Sequence, residues 1–184
     1  LKPKIFIAEN VRGLAFERNK KYLTSVIKKF QELGYTVEYS IIKMSNYEVP
    51  QNRERLFIIG YNGSYKLPEH SNKSFTVRNA LGEFASEAPS DGRYLSARED
   101  EYILSYEKKC KLITPRDLHL DKPSRTLTCR NLAGSTADMI RLKMEDGRRR
   151  KIRVKEASRI QGFPDWFIFN ETPSTAFNEI GQSV

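Results

Sequence analysis

Glu9 stands directly after Ile5-Phe6-Ile7-Ala8, a continuous apolar run of the kind that forms a strand buried on both faces. The carboxyl end of such a strand is where open α/β sheets place ligand-facing groups. A carboxylate there can accept hydrogen bonds and hold or release a proton. On type and position alone, Glu9 fits a solvated helix-entry acid as well. A second grouping lies in Val49-Pro50-Gln51-Asn52-Arg53-Glu54-Arg55. Arg53 and Arg55 are two apart, so an extended backbone points them the same way. A guanidinium fork suits an anionic oxygen or a ring carbonyl, although a solvated strand entry carries the same residue types. Between Arg141 and Lys155 there are eight basic residues and only two acids. Arg148, Arg149 and Arg150 in that run could grip phosphates, and an exposed hairpin face is ordinarily charged too. The two cysteines, Cys110 and Cys129, have no metal-ligand spacing, and no metal site is expected.

These groups need elements to position them. Tyr22, Leu23, Val26, Ile27, Phe30 and Leu33 recur at helical spacing, and Gly34 fits the residue just past the helix end. Val37, Tyr39 and Ile41 alternate as in a strand, and Leu56-Phe57-Ile58-Ile59 is another buried-strand run closed by Gly60. The first sixty residues therefore read as a βαββ block of a layered α/β sheet. From about Asn62 the chain becomes loop-rich. Ser96-Ala97-Arg98-Glu99 is a capping box opening a helix through about Lys109. Met139 to Met144, then Asp146-Gly147, then Arg148 to Val154 reads as a β-hairpin. A short helix over 154–161 ends at Gly162.

The chain has 184 residues, 32 Lys and Arg against 23 Asp and Glu, a formal charge of +9 and a pI near 9.5. That balance suggests an anionic partner, most often nucleic acid. No apolar run approaches the roughly 18 residues of a membrane span, and the first residues do not form a signal peptide. With so few cysteines, a disulfide framework is not expected and the setting reads as intracellular.

Four segments in order carry a family resemblance: Glu9-Asn10-Val11; Gln51 to Arg55; Lys155-Glu156-Ala157-Ser158-Arg159-Ile160-Gln161-Gly162-Phe163-Pro164-Asp165; and Ile180-Gly181-Gln182-Ser183-Val184. Together they resemble the C-terminal part of a cytosine-5 DNA methyltransferase of the bacterial restriction–modification type. The fold this implies is α/β: part of a Rossmann-like S-adenosylmethionine-dependent methyltransferase sheet plus a small α+β target-recognition domain. The expected division is 1–61 catalytic, 62–150 target recognition, and 151–184 a bridging helix and return to the catalytic domain.

Such enzymes flip cytosine out of the duplex, add a Cys thiolate to C6 and transfer a methyl group to C5. The resemblance makes Glu9 the carboxyl group at ring N3 and brings Arg55 to the flipped base and a nearby phosphate. Asn10, Val11, Gln51 and Arg53 would support that pocket. Thr126, Thr128, Arg130 and Asn131 fall where the family's recognition loop approaches the major groove, and Arg and Asn are the usual readers of guanine and adenine. Glu156, Arg159 and Gln161 would brace the bridging helix. Gln182 and Ser183 would lie near the cofactor, with Gln182 replacing the family's usual Asn.

The family's nucleophile sits in Pro-Cys-Gln, and none of the eight prolines here precedes a cysteine. No two glycines are as close as Gly-x-Gly, as the family's cofactor turn requires. The chain alone is therefore expected to be inactive and to bind no S-adenosylmethionine. Its expected partners are double-stranded DNA and the missing N-terminal half, with self-association through a cut sheet edge, and its expected setting is the bacterial cytoplasm. The missing initiator Met suggests excision from a longer chain, with a natural split subunit the other possibility. The rival readings are a stand-alone DNA-binding module and an RNA cytosine-5 methyltransferase fragment.

Overall fold

A computed structural model describes residues 2–90, 92–111, 116–134 and 136–184. The chain forms two compact units, one of residues 1–47 and 53–72 and the other of 48–52 and 73–184. Among the described residues, no helix is long and apolar enough to cross a membrane.

The first unit is built on three strands and one helix. β1 (Ile5–Val11), α1 (Lys20–Glu32) and β2 (Thr36–Lys43) follow the expected order. A two-residue strand, β3 (Gln51–Asn52), belongs to the second unit, and β4 (Glu54–Tyr61) returns to the first. β4 lies between β1 and β2 and is antiparallel to both, so β1 and β2 run parallel with α1 as their crossover. Leu56 and Ile58 of β4 bury against Leu23 of α1, with Ala8, Ile27 and Val37 around them. Phe6 stacks on Phe30, with ring centroids 4.2 Å apart. Gly60 lies opposite Phe6, and a Cβ there would enter the Phe6 ring, so this close approach requires glycine.

One expectation is corrected. β1 is not buried on both faces: Ile5 is 44% exposed and Ile7 61%. The side chains of Phe6 and Ala8 turn toward α1, while Ile5, Ile7, Glu9 and Val11 share the opposite face. β1 is also an edge strand, pairing with β4 alone among the described strands.

The second unit contains α2 (Val77–Leu81), α3 (Ala97–Lys109), β5 (Ser124–Arg125), α4 (Cys129–Ala133), β6 (Arg141–Lys143), β7 (Arg149–Lys151), α5 (Val154–Gln161) and α6 (Pro173–Gln182). Its core joins Val77, Leu81, Leu127, Ile140, Leu142 and Ile160. Ser96 and Glu99 make the expected reciprocal cap on α3. Asp146-Gly147 turns the β6–β7 hairpin, with Gly147 at φ +87°, and Gly162 closes α5 at φ +95°. α6 buries Ala176, Ile180 and Gly181 on one face, and Pro173 occupies its first turn. Gly181 lets α6 meet the start of α4: a Cβ would stand 2.3 Å from the Cys129 backbone nitrogen. Residues 151–184, expected as a bridging helix and a return to the catalytic domain, fall in the same compact unit as 73–150.

Candidate functional site

Glu9 and Arg55 come together on the sheet face opposite α1. Glu9 pairs across the ladder with Phe57, and Arg55 pairs with Val11, so Glu9 and Arg55 are diagonal neighbours on one face. Arg55 Nε donates to Glu9 Oε1 at 2.9 Å, and Arg55 also donates to the backbone carbonyl of Glu54 at 2.8 Å. The carboxylate side chain is 35% exposed and the guanidinium 18%, so the pair is half-sheltered and within reach of a ligand. Ile7 and Val11 border it with exposed apolar surface. This juxtaposes a proton-holding oxygen and a planar donor fork, which together can engage the polar edge of a heterocyclic ring. Asn10 turns its side chain back to accept from the Val11 backbone nitrogen at 2.9 Å. Arg53 is buried, and its carbonyl accepts from Met44.

Gln51, expected beside Arg55, lies in the other unit and is buried. Its Oε1 accepts the Leu127 backbone N–H at 2.9 Å, and its Nε2 donates to Gln161 Oε1 at 2.8 Å. Gln161 Nε2 in turn donates to the Ser183 carbonyl at 2.7 Å. Two side-chain amides thus tie together four chain segments, around residues 51, 127, 161 and 183. Both ends of the Gln51 amide are engaged inside the second unit.

The residues expected to read DNA divide. Thr126 Oγ1 donates to the Asn52 carbonyl at 3.1 Å, Thr128 caps α4, and Arg130 is exposed. Asn131 is corrected: it is 3% exposed, accepts from the Thr128 backbone and donates to the Thr126 carbonyl, so it presents no base-reading edge. The expected phosphate grip is corrected at Arg150 and Arg149. Arg150 has no exposed surface and makes a bidentate pair with Glu156 at 2.7 and 2.9 Å. Arg149 is held by Asp117 and Asp100, each at about 3 Å. Arg148, at the turn, pairs with Asp146 and lies over the Tyr94 ring. Arg141 is also buried, bound by Asp117 and Glu107. Much of the basic run is therefore consumed by internal pairs, which charge counting did not foresee.

Glu156 is buried and also accepts the Arg153 backbone N–H. Arg159 pairs with Asp165, donates to the Leu81 carbonyl and lies over Phe84. The Arg159 guanidinium holds the Asp165 carboxyl below its ordinary range. Ser183 Oγ donates to the Ile180 carbonyl, and Gln182 is exposed. Among the described residues no cluster of His, Cys, Asp or Glu could hold a metal ion.

A family model described as C-5 cytosine-specific DNA methylase matches residues 1–184. The type II methyltransferase M.AplI of Arthrospira platensis is 44% identical over 184 residues, covering 99% of this chain and 53% of its own. M.MthTI of Methanothermobacter thermautotrophicus is 31% identical over 205 residues, covering 99% of this chain and 62% of its own. The chain thus spans about half to three fifths of these relatives' length. Among solved structures, the S. pombe Dnmt2 methyltransferase superposes with a TM-score of 0.71 at 17% identity, over 99% of this chain and 61% of its own. The Entamoeba histolytica methyltransferase EhMeth does so with a TM-score of 0.68 at 18% identity, over the whole of this chain and 59% of its own. At those identities the likeness is one of fold.

Proposed function

Because the chain belongs to the C-5 cytosine-specific DNA methylase family, we propose that it is the C-terminal part of a DNA cytosine-5 methyltransferase of the restriction–modification type. In this reading residues 1–61 supply one wall of the flipped-cytosine pocket, residues from about 62 to 150 supply target recognition, and 151–184 brace the recognition elements. The observation that carries it is the Glu9–Arg55 pair, 2.9 Å apart on an open sheet face. The order of the four motif segments supports the C-terminal assignment. The whole enzyme acts on double-stranded DNA in the bacterial cytoplasm.

In that enzyme Arg55 moves its fork from Glu9 to the ring carbonyl of the extruded base and offsets the charge that develops there. Glu9, relieved of its partner, holds a proton at ring N3 while the thiolate adds at C6. S-adenosylmethionine supplies the methyl group. The cofactor contacts in this reading fall to Gln182, which is exposed, and to Ser183, whose hydroxyl donates to the Ile180 carbonyl. No proline here precedes a cysteine and no two glycines are as close as Gly-x-Gly, so in this reading the nucleophile and the cofactor turn are supplied by another polypeptide segment and the chain alone is inactive.

The test pairs the 184-residue chain with a separately expressed polypeptide carrying Pro-Cys-Gln and a Gly-rich turn. Label transfer from S-adenosylmethionine to cytosine is then followed in duplex DNA and in RNA. Transfer to DNA by the mixture and not by the chain alone supports the reading. Transfer by the chain alone, or to RNA only, contradicts it.

A further inference from the structure

A cleft of about 610 Å³ opens in the second unit, lined in part by Arg116, Lys122, Arg125 and Thr126. Three cationic side chains share this lining with one carboxylate, Asp117. Arg116 and Arg125 share one carboxylate, that of Asp138, with Arg125 at 3.0 Å. Two guanidiniums on one carboxylate leave a positive charge in excess, and exposed Lys122 adds another. The cleft's own carboxylate, Asp117, is bound by both Arg141 and Arg149, which Glu107 and Asp100 also engage, so this group removes only part of that excess and the lining stays net positive.

Arg125 is the strained member of the set. Burial, together with neighbouring Arg116 and Arg141, holds its guanidinium below the usual value, with Asp138 opposing. Its Nε is buried without an acceptor. An anion entering the cleft would offset the crowding of like charge. The floor that positions these groups is fixed: Arg125 donates to the Met139 carbonyl, and Thr126 is pinned to Asn52. The space is larger than a lone phosphate ion needs, and suits a phosphodiester with its flanking sugars.

We propose that this cleft, through Arg116, Lys122 and Arg125, holds a backbone phosphodiester of the DNA strand. The proposal rests on the DNA-directed reading above, and it places the phosphate grip away from the β6–β7 hairpin.

Fluorescence anisotropy of a labelled duplex with the 184-residue chain, as a function of salt, tests it. If Lys122 neutralises one phosphate, Lys122→Ala lowers the magnitude of the log K against log salt slope by about 0.9. The loss should be the same for duplexes of different sequence, since phosphate contacts carry no sequence information. Arg116→Ala in the Lys122→Ala background should flatten the slope further, while Arg148→Ala leaves it unchanged. Thermal melting checks folding, and if the double variant fails to fold the single Lys122 variant decides. An unchanged slope in Lys122→Ala, with the wild-type chain binding duplex, overturns the cleft while leaving the DNA reading intact. Failure of the wild-type chain to bind any duplex overturns both. Titration with inorganic phosphate distinguishes the other source. Phosphate binding abolished by Lys122→Ala, with duplex affinity unaffected, makes this a free-anion site and overturns the proposal.

Discussion

Gln51 donates its side-chain amide to Gln161 at 2.8 Å across 110 residues of chain, and each glutamine passes the contact on to a backbone group, at Leu127 and at Ser183. Buried amides cost free energy when a partner is removed, because the remaining donor or acceptor cannot return to water. Gln51→Ala or Gln161→Ala should each cost about 1–3 kcal/mol. The double variant should cost clearly less than the sum, since the second removal breaks a contact already lost. Urea denaturation of the four proteins checks this, and strict additivity would mean the two amides act independently.

Arg150 and Glu156 form the most deeply buried ion pair among the described residues, with neither side chain exposed. Replacing one partner strands the other charge. Arg150→Ala should therefore destabilise by roughly 3–5 kcal/mol, whereas Arg148→Ala, at an exposed and solvent-screened pair, should have a far smaller effect. Thermal or chemical denaturation separates the two. Equal small effects would mean that water reaches the Arg150 site.

The contrast between neighbouring arginines shows where the sequence was informative. Local signals translated directly: the apolar runs became β1 and β4, the Ser96–Glu99 box opened α3, Asp146-Gly147 turned a hairpin and Gly162 ended α5. Each is decided by a few adjacent residues. What stayed hidden depends on partners far along the chain. Arg141 reads as a surface charge until Asp117 and Glu107, 24 and 34 residues away, close on it. Periodicity marks β4 as a strand but says nothing of its place between β1 and β2. The short helices α2 and α4 have too few turns for a period, yet Thr76-x-x-Asn79 and Thr128-x-x-Asn131 are capping boxes that could have marked them and the inward role of Asn131. Position and resemblance mark Glu9 and Arg55 as candidates, and the antiparallel register brings them into contact.

Acid stability should depend on Glu99. The Arg93 guanidinium, followed by the Ser96 backbone N–H, lowers its carboxyl pKa to about 2. A carboxyl depressed in the folded state stabilises the fold above its unfolded value of about 4.3 and loses that contribution as pH falls toward 2. Glu99→Gln should therefore reduce the steepness of the stability decline between about pH 4.5 and 2, with Asp165 and Glu87, also lowered by arginines, keeping some slope. Melting temperatures across that range measure it. An unchanged acid limb would show that the cap does not hold the proton equilibrium.

The chain expressed alone should self-associate through β1. Its outer edge offers unpaired backbone groups, and Ile5, Ile7 and Val11 expose apolar surface on one face. Ile7→Lys, which charges that face without touching the Phe6–Phe30 contact, should shift the chain toward monomer in size exclusion with light scattering. A monomeric wild-type chain with an identical mutant profile would contradict this.

The Glu9–Arg55 pair is the centre of the functional account, and Glu9→Gln in the reconstituted enzyme tests it most directly. The amide keeps size and hydrogen bonding but cannot hold the proton. Methyl transfer to duplex DNA should fall by about a hundredfold or more, the range general acid–base groups contribute, with duplex affinity preserved. Near-normal transfer by Glu9→Gln would show that Glu9 is not the group that holds the proton at the base, and would contradict the account.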